Sequence, residues 1–239
     1  HYTNLLEMAD RLVFLRILLK EIAKKNNMFI TFMPKPTIGD WRSGAHINFS
    51  MIDKNGKNIF DGGNKFSKEC IFAVGGLMKH AEALTSITCS TVNSYNGLVP
   101  RVWGFEGGTV TWAPTNITYG HNNRSAQFRL PQNRYCIENR AADMTMNVYL
   151  ALSMTISSAV EGIEKKIHPG EPTDQDLYNM TDSEFKKLGI KRLPRNLLMA
   201  IEALKNDKLT DEVLGSVMKK SLLAYKNDEW ERYHQAVTD

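Results

Sequence analysis

Between Thr88 and Arg140 the chain abandons the helical spacing that governs both of its ends. That middle stretch is rich in Thr, Val, Asn, Gly and Pro with short apolar runs, and reads as strands joined by long loops. Before it, Leu5, Met8, Ala9, Leu12, Leu15, Leu19, Ile22 and Ala23 recur as one face of an amphipathic helix, with Thr3 or Asn4 to cap it and Lys24-Lys25-Asn26 to end it. Lys68–Leu84 repeats the spacing through Phe72, Leu77, Met78 and Ala81. After the middle, Met144–Ile167 carries Leu152, Ile156, Val160 and Ile163 on one stripe, followed by helical segments at Arg195–Lys205, Asp211–Leu223 and Asp228–Val237. The pattern implies an α+β fold.

Shorter elements complete the reading. Met28–Met33 is expected as a buried strand stopped by Pro34 and Pro36, and Ala45–Ile52 as a second strand before an Asn55-Gly56 turn. Pro169–Asp182 is expected as a long exposed loop inside one domain. The chain shows no repeat and no linker.

Composition narrows the function classes. A length of 239 residues with 42% apolar content can bury a substantial core. The formal charge of +4 is mild and the basic residues are scattered, which argues against a nucleic-acid partner. Apolar runs break early, as Arg16 breaks the one at Leu12–Leu15, so no bilayer-spanning segment and no membrane partner are expected. Cys70, Cys89 and Cys136 are odd in number and far apart. They point to a reducing, cytoplasmic setting, and away from disulfides or structural zinc. The chain opens on His1 with no secretory signal.

Strand periodicity places the polar groups that could do chemistry. In Ala45–Ser50, His46, Asn48 and Ser50 share one face, while Ala45, Ile47 and Phe49 share the other. A lone strand histidine is more often structural; Asn and Ser beside it on the same face point toward a site. Arg129 shares a face with Ser125 and Gln127, Arg124 stands at the mouth of that strand, and Glu138 and Arg140 are co-facial two residues apart. Three arginines and a glutamate so close form either a solvated ion-pair surface or an anion site. In the second case the guanidiniums would fork onto phosphate or carboxylate and the glutamate would offer a hard oxygen to Mg²⁺. No P-loop, G-x-G-x-x-G, H-E-x-x-H or G-x-S-x-G motif occurs.

Ordered blocks carry a resemblance. They are Phe32-Met33-Pro34-Lys35-Pro36, Ser43-Gly44-Ala45-His46, Gly75-Gly76-Leu77-Met78-Lys79-His80, Thr91-Val92-Asn93-Ser94-Tyr95, Asn123-Arg124-Ser125-Ala126 with Arg129 and Pro131, Ile137-Glu138-Asn139-Arg140, and Leu193-Pro194. Together they resemble the catalytic domain of the glutamine synthetase family over nearly the whole chain. The resemblance implies a mainly antiparallel sheet forming an active-site funnel with flanking helices. It implies ATP-dependent ligation of ammonia to the γ-carboxylate of glutamate through γ-glutamyl phosphate, with Mg²⁺ or Mn²⁺, two or three ions per site, and ATP as co-substrate. Position by position, His46 and Glu138 are implied as metal ligands. Arg124 and Arg129 would hold ATP phosphates, with Ser50 and Asn48 beside the nucleotide. Gly44, His46, Arg140 and Arg101 would meet glutamate, Arg140 clamping its carboxylate or the acyl phosphate.

Departures from the family pattern matter too. Trp41-Arg42 stand where Asn-Gly is common, Asn48 replaces a second His, and Gly97 stands where many members place a substrate-binding arginine. Arg101 is the expected substitute, and Glu106 the expected flap glutamate. These changes resemble a divergent branch that includes γ-glutamylmethylamide synthetases. Ligation to methylamine or another small amine is therefore the alternative, and an inert structural member the alternative of another class. Tyr178 matches a position adenylylated in some bacterial enzymes, and reads equally as an exposed loop tyrosine. The resemblance further implies a homo-oligomer of stacked rings, such as a dodecamer, with active sites between subunits. It implies that residues 1–239 are a partial catalytic domain, lacking the N-terminal β-grasp domain and the first acidic metal ligands.

Overall fold

The computed structural model describes residues 2–102 and 109–237, apart from the side chains of Val102, Thr109, Val110 and Asp182. Glu106, the expected flap residue, lies outside the described residues. In chain order the elements are α1 (Leu5–Lys25), β1 (Ile47–Phe49), α2 (Lys68–Lys79), α3 (Ala81–Thr88), α4 (Val92–Gly97), β2 (Arg101–Val102), β3 (Thr109–Val110), β4 (Asn116–Ile117), β5 (Tyr119–His121), β6 (Phe128–Leu130) and β7 (Ile137–Asn139). Then come α5 (Val148–Glu164), a 3-10 turn (Leu177–Asn179), α6 (Asp182–Lys187), β8 (Lys191–Arg192), α7 (Leu197–Asn206) and α8 (Lys208–His234).

The main sheet has the order β1-β7-β6-β5, with β5 and β6 parallel and the other two pairings antiparallel. Two antiparallel ribbons, β2–β3 and β4–β8, stand beside it. The expected α+β class holds; one parallel pair makes the sheet mixed. Register then sets the site. Asn48 stands opposite Glu138, and Glu138 opposite Arg129, so one row of the sheet carries three polar side chains. On the other face Ile47, Phe49, Phe128, Leu130 and Ile137 are buried in the core. The sheet is apolar behind and charged in front.

Helices α2 and α5 pack against each other in the same core, crossing at glycines. A Cβ on Gly76 would lie 2.0 Å from the Ser158 carbonyl oxygen, and one on Gly162 would lie 2.2 Å from that of Phe72. The backbones touch, which only glycine permits.

Several local expectations are corrected. Residues 28–33 form no strand, and Phe29 is fully exposed. The Met28 N–H instead closes the end of α1 by donating to Ala23 O at 2.9 Å, and a six-residue apolar run carries no period strong enough to fix its state. The stripe of α1 is only partly covered: Ala9 and Ala23 are buried, whereas Leu5, Leu15 and Ile22 are exposed. Residues 68–84 split into α2 and α3 at His80, and Val92–Gly97 adds a helix inside the strand-rich middle. The segment 169–182 is not wholly exposed, because Leu177 and Tyr178 are buried. The last two helical stretches run together as α8, with a break at Gly215, whose φ of 68° suits glycine.

Candidate active site

Strand β7 delivers Glu138 to the polar face, and three cationic or imidazole groups converge on it. His46 Nδ1 lies 2.9 Å from Glu138 Oε1, Arg129 Nη1 donates to Oε2 at 2.9 Å, and Arg140 Nη1 donates to Oε1 at 3.3 Å. The Glu138 side chain is 6% exposed. Burial alone would raise its carboxyl pKa, but the hydrogen bonds with His46 and Arg129 and the charge of Arg140 bring it down to about 2. Two guanidiniums on one carboxylate leave surplus positive charge. This is an anion site in electrostatic terms.

Arg140 is held on all sides. Its Nε donates to the Arg124 carbonyl at 3.0 Å and its Nη2 to the Trp112 carbonyl at 2.9 Å. Beside it opens a cavity of about 190 Å³, lined among others by Arg42, Gly44, His46, Trp112 and Arg140. That lies below the roughly 300–1,000 Å³ of drug-sized pockets and suits a small molecule. Gly44 matters at its rim: a Cβ there would stand 3.1 Å from His46 Nε2. The absent Cβ keeps that nitrogen open.

The structure brings His46, Glu138, Arg129 and Arg140 together and places the other candidates around them. Asn48 shares the row with Glu138, its Oδ1 accepting from Arg134 Nη2 at 3.0 Å. Ser50 follows β1 at an exposed position, and Arg124 is exposed at the entrance to β6. Arg101 donates from Nη2 to Asn179 Oδ1 at 2.8 Å and is not among the residues lining the cavity. Tyr178 is buried rather than exposed: its hydroxyl donates to Ala113 O at 2.9 Å and its ring meets Trp112 edge-on. Burial pushes its phenol pKa well up, with Arg140 partly opposing.

A divalent cation is implied by the resemblance, and the donor set is compatible with one. His46 offers a ring nitrogen and Glu138 carboxylate oxygens, side by side at 2.9 Å. Among the described residues no group of three or more His, Cys, Asp or Glu is placed to hold a metal. The pair is thus a partial coordination set.

Comparison with known proteins decides the family. The sequence profile described as "Glutamine synthetase, catalytic domain" matches residues 1–239. The chain belongs to the glutamine synthetase family. The glutamine synthetase of Pyrococcus abyssi is 38% identical over 235 residues, which are 97% of this chain and 51% of that protein. That of Methanocaldococcus jannaschii is 36% identical over 244 residues, covering 100% and 52%. The chain therefore spans about half the length of the curated relatives it matches. Among solved structures, "GmaS/ADP complex-Conformation 1" superposes with a TM-score of 0.88 at 34% identity, over 100% of this chain and 54% of the other. "Apo GmaS without ligand" gives 0.87 at 32%.

The blocks that carried the glutamine synthetase resemblance meet in space. Lys35 N–H donates to Asn93 Oδ1 at 2.8 Å, and Asn93 Nδ2 returns a bond to Lys35 O at 2.9 Å, joining the Pro-rich segment to α4. One cavity residue escaped assignment from sequence. Arg42 was visible only as a departure from the glutamine synthetase pattern, and its partners Cys89, Ala142 and Asp143 lie far along the chain. No local signal announces such a residue.

Proposed function

We propose that the protein joins ammonia to the γ-carboxylate of glutamate at the expense of ATP, giving glutamine. The observation that carries this reading is the buried Glu138, met by His46, Arg129 and Arg140, of which His46 and Arg140 line a small cavity. In the proposed reaction a γ-carboxylate oxygen attacks the terminal phosphorus of ATP, and ADP departs with the electrons of the broken P–O bond. Ammonia then attacks the acyl carbon of γ-glutamyl phosphate, phosphate leaves, and the ammonium proton passes to solvent. Arg124 and Arg129 hold the transferring phosphoryl oxygens, and Arg140 the substrate carboxylate or acyl phosphate. Asn48 and Ser50 border the nucleotide, while Gly44 and Arg101 border glutamate. His46 and Glu138 would hold Mg²⁺ or Mn²⁺, which supplies charge neutralisation at the phosphoryl oxygens when bound.

The second reading is ligation of methylamine or another small amine. It is supported by the two GmaS structures and by the departures at Arg42, Asn48 and Gly97. We place the work in the cytoplasm, in a homo-oligomer of stacked rings whose active sites lie between subunits, with residues 1–239 as a partial catalytic domain. Among the described residues no helix is long and apolar enough to cross a membrane.

The test is phosphate release by the full-length protein with ATP, Mg²⁺ and glutamate, comparing ammonia with methylamine. Faster release with ammonia supports the first reading, and faster release with methylamine the second. Replacing Glu138 by Gln should lower turnover at least 100-fold and raise the Mg²⁺ requirement. No release above background with either amine favours an inert structural member.

A further inference from the structure

Arg42 is the unusual residue of the cavity. Its side chain is only 5% exposed, yet it lines the same space as His46 and Arg140. Nη2 donates to Ala142 O at 2.9 Å, lies 3.6 Å from Asp143 Oδ2, and touches Cys89 Sγ at 4.0 Å. Nη1 is buried with no hydrogen-bond partner. The Asp143 carboxylate balances the charge of the group, but Nη1 itself has no acceptor, and a buried donor left unmade is disfavoured until a ligand at the cavity completes it. Arg140 differs: each of its three nitrogens already donates to the protein.

The chain makes room for this arginine deliberately. A Cβ at Gly97 would stand 2.8 Å from Arg42 Cβ and 3.2 Å from its Cδ, so only glycine there lets the stem lie across the end of α4. Among the described residues the polar contacts of Arg42 run to Ala142, Asp143 and Cys89, none of them to Glu138. Arg140, by contrast, is bound to Glu138. The two arginines line one cavity with different partners behind them.

We infer that Arg42 is a specificity-determining residue whose guanidinium receives the α-carboxylate of the amino-acid substrate, leaving His46 and Arg140, the partners of Glu138, for the reacting γ-carboxylate. This rests on the ligase reading above. A guanidinium fork matches a carboxylate, and a lysine in its place would keep charge and stem but lose the fork.

The experiment uses the full-length protein and its Arg42→Lys variant, measuring KM for glutamate, KM for ATP, and the inhibition constant of 4-aminobutyrate, which lacks the α-carboxylate. The expected result is a rise of about 10- to 100-fold in glutamate KM, with the ATP and 4-aminobutyrate constants unchanged. A second variant, Arg42→Gly with Gly97→Arg, returns a guanidinium to the same space from α4 and should regain at least tenfold of the loss. An unchanged glutamate KM, or all three constants moving together, overturns the assignment, as does a folded double variant with no recovery. A wild-type protein that releases no phosphate with glutamate refutes the ligase reading itself; a normal wild type with an indifferent Arg42→Lys refutes only this assignment.

Discussion

Glu138 and His80 are both buried ionisable residues held by opposite charges, and their surroundings give them different work. Two partners of Glu138, His46 and Arg140, line a cavity. His80 is closed in, its Nδ1 2.6 Å from Asp207 Oδ2 and its Nε2 2.5 Å from Glu161 Oε2, while Lys79 and Lys165 also bond to Glu161. Burial lowers the His80 pKa, but the bonds to Asp207 and Glu161 outweigh it and raise the value above 6.5. Burial raises that of Glu161, and the bonds from His80, Lys165 and Lys79 bring it down to about 2. The stability owed to His80 is therefore full below about pH 6.5 and lost as pH rises through the folded value. That owed to Glu161 is full above about pH 4.5 and lost as pH falls toward 2. The wild type should hold its largest Tm advantage over His80→Gln near pH 5–6, shrinking toward pH 9; an advantage that grows with pH contradicts the pairing. Such long-range clusters leave no mark in the sequence. His46, Arg129, Glu138 and Arg140 were legible because each sits in or beside a strand, where period two puts alternate residues on one face. Arg42 was not, because the cavity wall it joins is built from residues dozens of positions away.

At the scale of elements, the contact between α2 and α5 through Gly76 and Gly162 fixes how the helices lie behind the sheet. Gly76→Ala puts a methyl group on the Ser158 carbonyl and forces the helices apart. The expected loss is about 3 kcal/mol, read by urea denaturation; a loss below about 0.5 kcal/mol would mean the helices cross elsewhere. The crossing itself was not legible, since a Gly-Gly pair inside an apolar helix pattern says only that something approaches closely. Long periodic helices such as α1 and α5 were legible, because their spacing repeats over several turns. Two errors share a cause: residues 28–33 and 169–182 lack a period, so their burial depends on partners the local sequence does not name. The break between α2 and α3 at His80 carries neither Gly nor Pro, and the helices part there around a buried side chain.

At the scale of the whole molecule, two facts of different size meet. The fold gathers a carboxylate, an imidazole and guanidiniums beside one small cavity that His46 and Arg140 line, while the chain spans about half the length of its curated relatives. Apolar residues such as Leu6, Phe14 and Ile17 on α1 remain exposed beside this core. Full-length protein is therefore the proper subject for any test of catalysis. The central claim is that the γ-carboxylate of glutamate becomes an acyl phosphate at the cavity lined by His46 and Arg140. Glutamate carrying ¹⁸O in its γ-carboxylate tests this most directly, through the mass of the phosphate released with ATP, Mg²⁺ and an amine. Transfer of one ¹⁸O atom into each phosphate is the predicted result. Phosphate released without ¹⁸O would mean that water, not glutamate, attacks ATP, and would contradict the account.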